Sequence, residues 1–259
     1  APRRAKIMAL ARRLPGLCRR SAAPLSTAVH RGAQDFHELR ERSLLRYTMK
    51  ASTEGDATSV MNAMDEFWSE YYKGQSTTEW NLRGTALDDA IKKAAPTAAM
   101  ELGTYCGYSA IRIGRLLPPG GKLVSVEVDP LYAAIATKVI EHAGLSDSIK
   151  VEIGDISERF EAIQKKHGIG QIDALLMDHG TSNYLSSLQF LEGKGVVKQD
   201  TAVLCDWSLY PGSEDDTQAP LKMEEFMKHM EASGRAATAR QTMHNKEVFS
   251  VNTWSGFPV

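Results

Sequence analysis

The sequence predicts an α/β fold: a Rossmann-like, seven-stranded, mostly parallel sheet closed by an antiparallel C-terminal hairpin. Three observations predict it. Apolar strand-like runs alternate with amphipathic helical runs from residue 98 onward. The first run ends in Glu101-Leu102-Gly103-Thr104-Tyr105-Cys106-Gly107 and opens at once into a helix at Tyr108-Ser109. A second apolar strand, Lys122 to Glu127, ends in an acid 24 residues after Gly103.

Residues 1–34 form a basic leader with eight Arg or Lys and no acid, ahead of a domain over 35–259. The leader's composition matches an organelle transit peptide, mitochondrial or plastid, but equally a disordered basic tail or a membrane-surface helix. Its apolar run Ile7–Ala11 is too short to span a bilayer, so no transmembrane segment is expected. Next, Phe36 to Thr48 and Ala57 to Tyr72 carry apolar residues at helical spacing. Val60, Met61, Met64, Phe67, Trp68 and Tyr71 line one stripe of the second, a core-facing pattern. Gly74 to Asn81 reads as a turn, and Leu87 to Ala95 as a third helix. Trp68 and Trp80 stand before the first strand, where they either flank a site or fill the core.

Strands are then expected near 98–103, 122–127, 149–153, 172–177 and 201–206, with helices near 108–117, 130–143, 157–167, 183–193 and 219–233. Runs 236–242 and 247–252 lie four residues apart and read as an antiparallel hairpin.

Glycine at 103 and 107 lets the backbone approach a ligand closely, and an acid at a strand tip can accept both hydroxyls of a ribose. A nucleoside cofactor is therefore expected across the carboxyl edge of the sheet. The two glycines stand four apart, unlike the G-x-G-x-x-G of a dinucleotide site, and there is no Gly-Lys-Ser/Thr phosphate loop. A cofactor without phosphates fits better, and S-adenosylmethionine meets that description.

These residues resemble the catechol O-methyltransferase family. The likeness is carried by Glu101 through Ser109, Val126-Glu127-Val128-Asp129-Pro130, Met177-Asp178-His179, and Asp206 followed by Tyr210-Pro211-Gly212. It runs in order from about residue 38 to the end and implies a class I S-adenosylmethionine-dependent methyltransferase fold. The resemblance implies that Glu101, Gly103, Tyr105, Gly107, Tyr108 and Ser109 surround the methionine end of the cofactor, with Ser109 on its carboxylate. Glu127 would take the ribose, with Val128 beside it. Asp155 or Ser157 would meet the adenine, although Asp155 is also placed to cap the helix that follows. His179 would pack near the cofactor, and Asp178 would border it.

For the acceptor, the resemblance implies Mg2+ on Asp178 and Asp206, lowering the hydroxyl pKa and fixing the acceptor in line with the methyl group. Here the chain departs from the family pattern. The family's third ligand, an Asn after the second Asp, is Trp207. Its catalytic Lys, three residues after the first Asp, is Thr181, and the aromatic after the Asp-His pair is Gly180. Three readings follow. In the first, His179 or His244 supplies the base, histidine being suited to that near neutrality, and Trp207 and Pro211 line a small aromatic acceptor. In the second, water replaces the missing ligand on a magnesium ion. In the third, the chain is an impaired methyltransferase-fold protein serving as a binding or trafficking partner.

Composition sets limits on partners and location. All 32 acids lie beyond Gln34 while eight of the 31 basic residues precede it, so the body has no basic stripe and nucleic acid is not the expected partner. Cys18, Cys106 and Cys205 form no CxxC, which suits a reducing compartment, cytoplasmic or organellar. A monomer is expected.

Overall fold

From edge to edge the sheet runs through the strands at 149–153, 122–127, 98–102, 172–177, 197–206, 246–254 and 235–243, the first five joined in parallel and 246–254 antiparallel to both its neighbours. The computed structural model describes residues 33–71, 78–206, 219–243 and 246–254, with side chains over 40–71, 84–206 and 222–235. Three helices come first: α1 (Ala33–Ala51), α2 (Ala57–Tyr71) and α3 (Thr78–Ala94). Then follow β1 (Ala98–Leu102), α4 (Tyr108–Gly114), β2 (Lys122–Glu127), α5 (Pro130–His142), β3 (Ile149–Ile153) and α6 (Ile156–His167). The chain continues through β4 (Ile172–Met177), α7 (Tyr184–Gly193), β5 (Val197–Asp206), α8 (Ala219–Ala232), β6 (Arg235–Met243) and β7 (Lys246–Trp254). Residues Glu38–Val259 group as one unit. Among the described residues no helix is long and apolar enough to cross a membrane.

Each central strand is apolar on both faces, as a parallel sheet covered on both sides requires. Ala99, Leu123, Leu176 and Leu204 pack in one core with residues of α1 to α5. Met100, Val124, Leu175 and Val203 pack in a second core with α6, α7 and α8. The period of two then decides where the polar residues fall. Glu101, Ser125 and Glu127 continue the α1–α5 face, and so do Asp178 and Asp206, two residues beyond Leu176 and Leu204. Four acids on four strands thus share one face at the carboxyl edge.

Several boundaries differ from the sequence reading. Helix α3 begins at Thr78, so Thr78 to Asn81 is helix where a turn was expected, and residues 74–77 of that expected turn lie outside the described residues. Gly84, inside that helix, hides the continuity, but its missing side chain has a reason: a Cβ there would lie 2.4 Å from Arg112 Nη1. Arg112 needs the space because its guanidinium grips Asp88 of α3 through Nε and Nη2 (3.0 and 2.8 Å). Helix α4 ends at Gly114 rather than 117, four residues ahead of Pro118. Strand β5 starts four residues earlier than expected, at Val197.

Candidate functional site

The edge is built around the β1–α4 loop. Gly103, Tyr105 and Gly107 all take positive φ (91°, 46° and 89°), two of them where glycine bears no penalty. At Gly103 a Cβ would meet the Asp178 carbonyl oxygen at 2.3 Å, so glycine lets the loop lie directly on the tip of β4. Gly103 N–H donates to Val126 O and Asp178 N–H to Leu102 O, extending the ladder beyond the strand ends.

Glu127 holds this loop in place. Its Oε2 accepts from Thr104 N–H (3.1 Å) and Tyr105 N–H (2.7 Å), and its Oε1 from Asp129 N–H (2.9 Å). The resemblance assigns this acid to a ribose, and in the structure the carboxylate also organises the backbone on both sides of it. Beside it Val128 is 66% exposed, and Ile153, at the tip of β3, is 47% exposed. They are two of the three large apolar side chains exposed among the described residues, and they flank Glu127 on neighbouring strands.

Glu101 is fully buried. Ser125 donates its hydroxyl to Oε2, and Thr104 meets Ser125 in turn. The Ser109 hydroxyl lies close enough to favour ionisation, yet Oε1 has no hydrogen-bond partner of good geometry. Burial pushes the carboxyl up to about 7, the nearby Glu127 charge adding to the rise.

Tyr105 and Tyr108 direct their side chains toward the N-terminal helices. Tyr105 donates its hydroxyl to Glu41 of α1, accepts from Arg40 Nη2 (3.1 Å), and stacks near Trp68 with ring centroids 6.4 Å apart. Tyr108 accepts from Arg112 (2.8 Å), and burial raises its phenol. Trp68 is thus half-buried, packed against the core and beside the loop.

At the next two strand tips, Asp178 is half-buried and Asp206 buried. Met177 pairs with Cys205, so the two aspartates follow on adjacent strands. Tyr184 joins those tips: its hydroxyl lies 2.7 Å from Met177 O and also bonds Asp206 O. Its ring stacks on His179 at 5.0 Å. His179 Nε2 pairs with Ser187 Oγ (3.0 Å), Nδ1 is buried without a partner, and burial pushes the ring down to about 4 against the opposing Asp155 charge. The ring is neutral at pH 7 and a weak base.

Asp155 is the N-cap of α6, accepting from Ser157 N–H (2.8 Å) and Ser157 Oγ–H (2.5 Å). The helix cap considered for it is therefore present. The Ser157 hydroxyl bond lowers its pKa most. Trp207, Pro211 and His244 lie outside the described residues, as do residues 1–32 of the leader and the side chain of Trp80. The strand ends Met243 and Lys246 do stand at the Asp206 edge, because β7 runs antiparallel to β5 with Phe249 opposite Asp206. Among the described residues no group of three or more His, Cys, Asp or Glu is placed to hold a metal ion. The two aspartates are hard oxygen donors of the kind Mg2+ takes, two protein carboxylates completed by water. Cys106 and Cys205 are buried free thiols, and burial raises the former well above its ordinary value.

A family model described as O-methyltransferase matches residues 52–245. The chain belongs to the O-methyltransferase family. Among relatives, mouse (Mus musculus) catechol O-methyltransferase is 35% identical over 176 residues, 68% of this chain and 66% of that protein. The human (Homo sapiens) transmembrane O-methyltransferase is 32% identical over 176 residues, 67% of this chain and 59% of that protein. The matched stretch thus spans less than two-thirds of the length of these two relatives. Among solved structures, the O-methyltransferase TomG of Streptomyces achromogenes, in complex with SAM, superposes with a TM-score of 0.59. It is 20% identical and covers 79% of this chain and 92% of that one. An O-methyltransferase from Bacillus cereus, in complex with SAH, gives 0.56 at 20% identity, covering 74% and 97%. These likenesses establish the fold as that of the O-methyltransferases.

Sequence reasoning missed Ser125 and Thr104, which link two acids, and Glu41, which takes the Tyr105 hydroxyl. Ser125 carried a signal, a lone hydroxyl in an otherwise apolar strand. Glu41 carried none, since nothing in a helical pattern marks one acid as buried.

Proposed function

We propose that the chain transfers the methyl group of S-adenosylmethionine to a hydroxyl of a small aromatic, catechol-like acceptor. The observation that carries this reading is the row of four acids along the carboxyl edge, on the loop side of the sheet, in a chain of the O-methyltransferase family. In this reading the backbone at Gly103 and Tyr105 receives the methionine end, Glu101 faces its ammonium and Ser109 its carboxylate. Glu127 keeps acceptor capacity for the ribose hydroxyls while holding the loop. Val128 and Ile153 supply apolar surface for the adenine, with Ser157 and the neutral His179 nearby.

Asp178 and Asp206 would hold a magnesium ion with water in the remaining positions, and that ion would supply acidification of the acceptor hydroxyl. Trp207 and Pro211 would line the acceptor. As a weak base His179 suits packing better than proton abstraction, so the base role passes to His244, which lies between β6 and β7 in the sequence. Alignment of the acceptor with the sulfonium methyl is then the main contribution to rate. The domain acts as a monomer.

The test is methyl transfer from labelled S-adenosylmethionine to a panel of catechols and phenols, with Mg2+ and with chelator. Mg2+-dependent transfer to catechols is expected. Absence of transfer from protein that binds the cofactor would overturn the catechol reading. Within an active system, His244→Ala should lower kcat at least tenfold while S-adenosylhomocysteine still binds.

A further inference from the structure

Glu101 is enclosed on all sides, yet only one of its oxygens is satisfied. Ser125 has a single hydroxyl proton and directs it to Glu101 Oε2. In the contact between Ser125 and Thr104, Thr104 must therefore be the donor. The chain runs Thr104 to Ser125 to Glu101, and the Thr104 amide closes the path to Glu127 Oε2. Two acids are thus linked through two hydroxyl-bearing residues, and Oε1 of the deeper one is bare. A buried carboxylate oxygen without a partner is costly, and either a proton or a cation relieves the cost.

Among the described residues the surroundings do not supply the cation. Facing Glu101 are Ser125 and Glu127 from β2, Thr104 from the loop and Ser109 from α4. On β4 its register partner is the apolar Leu176, with Asp178 two residues further. The charged groups among these are anions.

Resting on the cofactor reading above, we propose that Glu101 carries a proton in the cofactor-free protein and releases it to solvent when the ammonium of the cofactor's methionine end enters. Cofactor binding and proton release are then one linked event, and acid weakens binding. Burial and the Glu127 charge set Glu101 at about 7, which places the handover in the neutral range.

The test is isothermal titration of the full chain with S-adenosylhomocysteine in phosphate and in Tris, at several pH values from 6 to 8. Its amine stays protonated over most of that range. If the bound state holds Glu101 ionised, the dissociation constant is about fivefold larger at pH 6 than at pH 7. Close to one proton is released per ligand at pH 6, read from the difference in heat between the buffers, and Glu101→Gln abolishes that release. Binding with the same affinity at pH 6 and 7 and no buffer-dependent heat would overturn the proposal and leave the cofactor reading standing. Release that persists in Glu101→Gln would overturn the assignment to Glu101. No binding by the parent chain at pH 8 would overturn both.

Discussion

At the residue scale, one carboxylate does two jobs and one ring is kept neutral. Glu127 accepts three backbone N–H groups, so Glu127→Ala leaves donors without an acceptor. At about 1–3 kcal/mol for each buried unsatisfied group, urea unfolding should show a loss of roughly 3 kcal/mol or more, alongside a loss of cofactor binding. An unchanged midpoint would mean that the loop stands without it. Glu101 and His179 give opposite pH dependences. Folding raises Glu101 from 4.5 to about 7, so the stability it contributes is full below 4.5 and is lost as pH rises through 7. Folding lowers His179 from 6.5 to about 4, so its contribution is full above 6.5 and is lost as pH falls toward 4. Between about 4.5 and 6.5 the two slopes oppose each other. Glu101→Gln should therefore gain on the parent by roughly 3 kcal/mol as pH rises from 4.5 to 7, measured as the difference between paired urea titrations. A difference that stays flat across that range would contradict the burial of an ionisable Glu101.

At the element scale, the β1–α4 loop depends on a bare backbone at one position. Gly103→Ala puts a methyl group 2.3 Å from the Asp178 carbonyl at a φ of 91°, so the loop must lift from β4. Binding of S-adenosylhomocysteine should weaken more than tenfold, and titration calorimetry would show it. The same elements show what the sequence revealed. Gly103, Gly107 and the acids at strand tips were legible because a tight turn and a half-polar strand end leave local marks. The start of α3 was not legible, because Gly84 breaks the helical pattern and its reason, Arg112, comes from another helix. The Tyr184 hydroxyl between two strand tips was equally hidden, since an aromatic in a helix looks the same whether or not its hydroxyl joins neighbouring strands.

At the scale of the whole molecule, the fold brings together what the chain separates. Glu101, Glu127, Asp178 and Asp206 lie on four strands, and only the parallel order β2-β1-β4-β5 makes them neighbours along one edge. Their common face followed from strand parity, and was implicit in the sequence once those strands were set beside one another. The acceptor side was less legible, because Trp207, Thr181 and Gly180 stand where the family's ligand, base and aromatic wall would be, and side-chain types alone do not say what replaces them. The most direct test of the central claim is a crystal structure with S-adenosylhomocysteine bound. The account predicts ribose hydroxyls on Glu127, the methionine end over Gly103 toward Glu101 and Ser109, and the adenine against Val128 and Ile153. A nucleoside seated away from the β1 and β2 tips would contradict it.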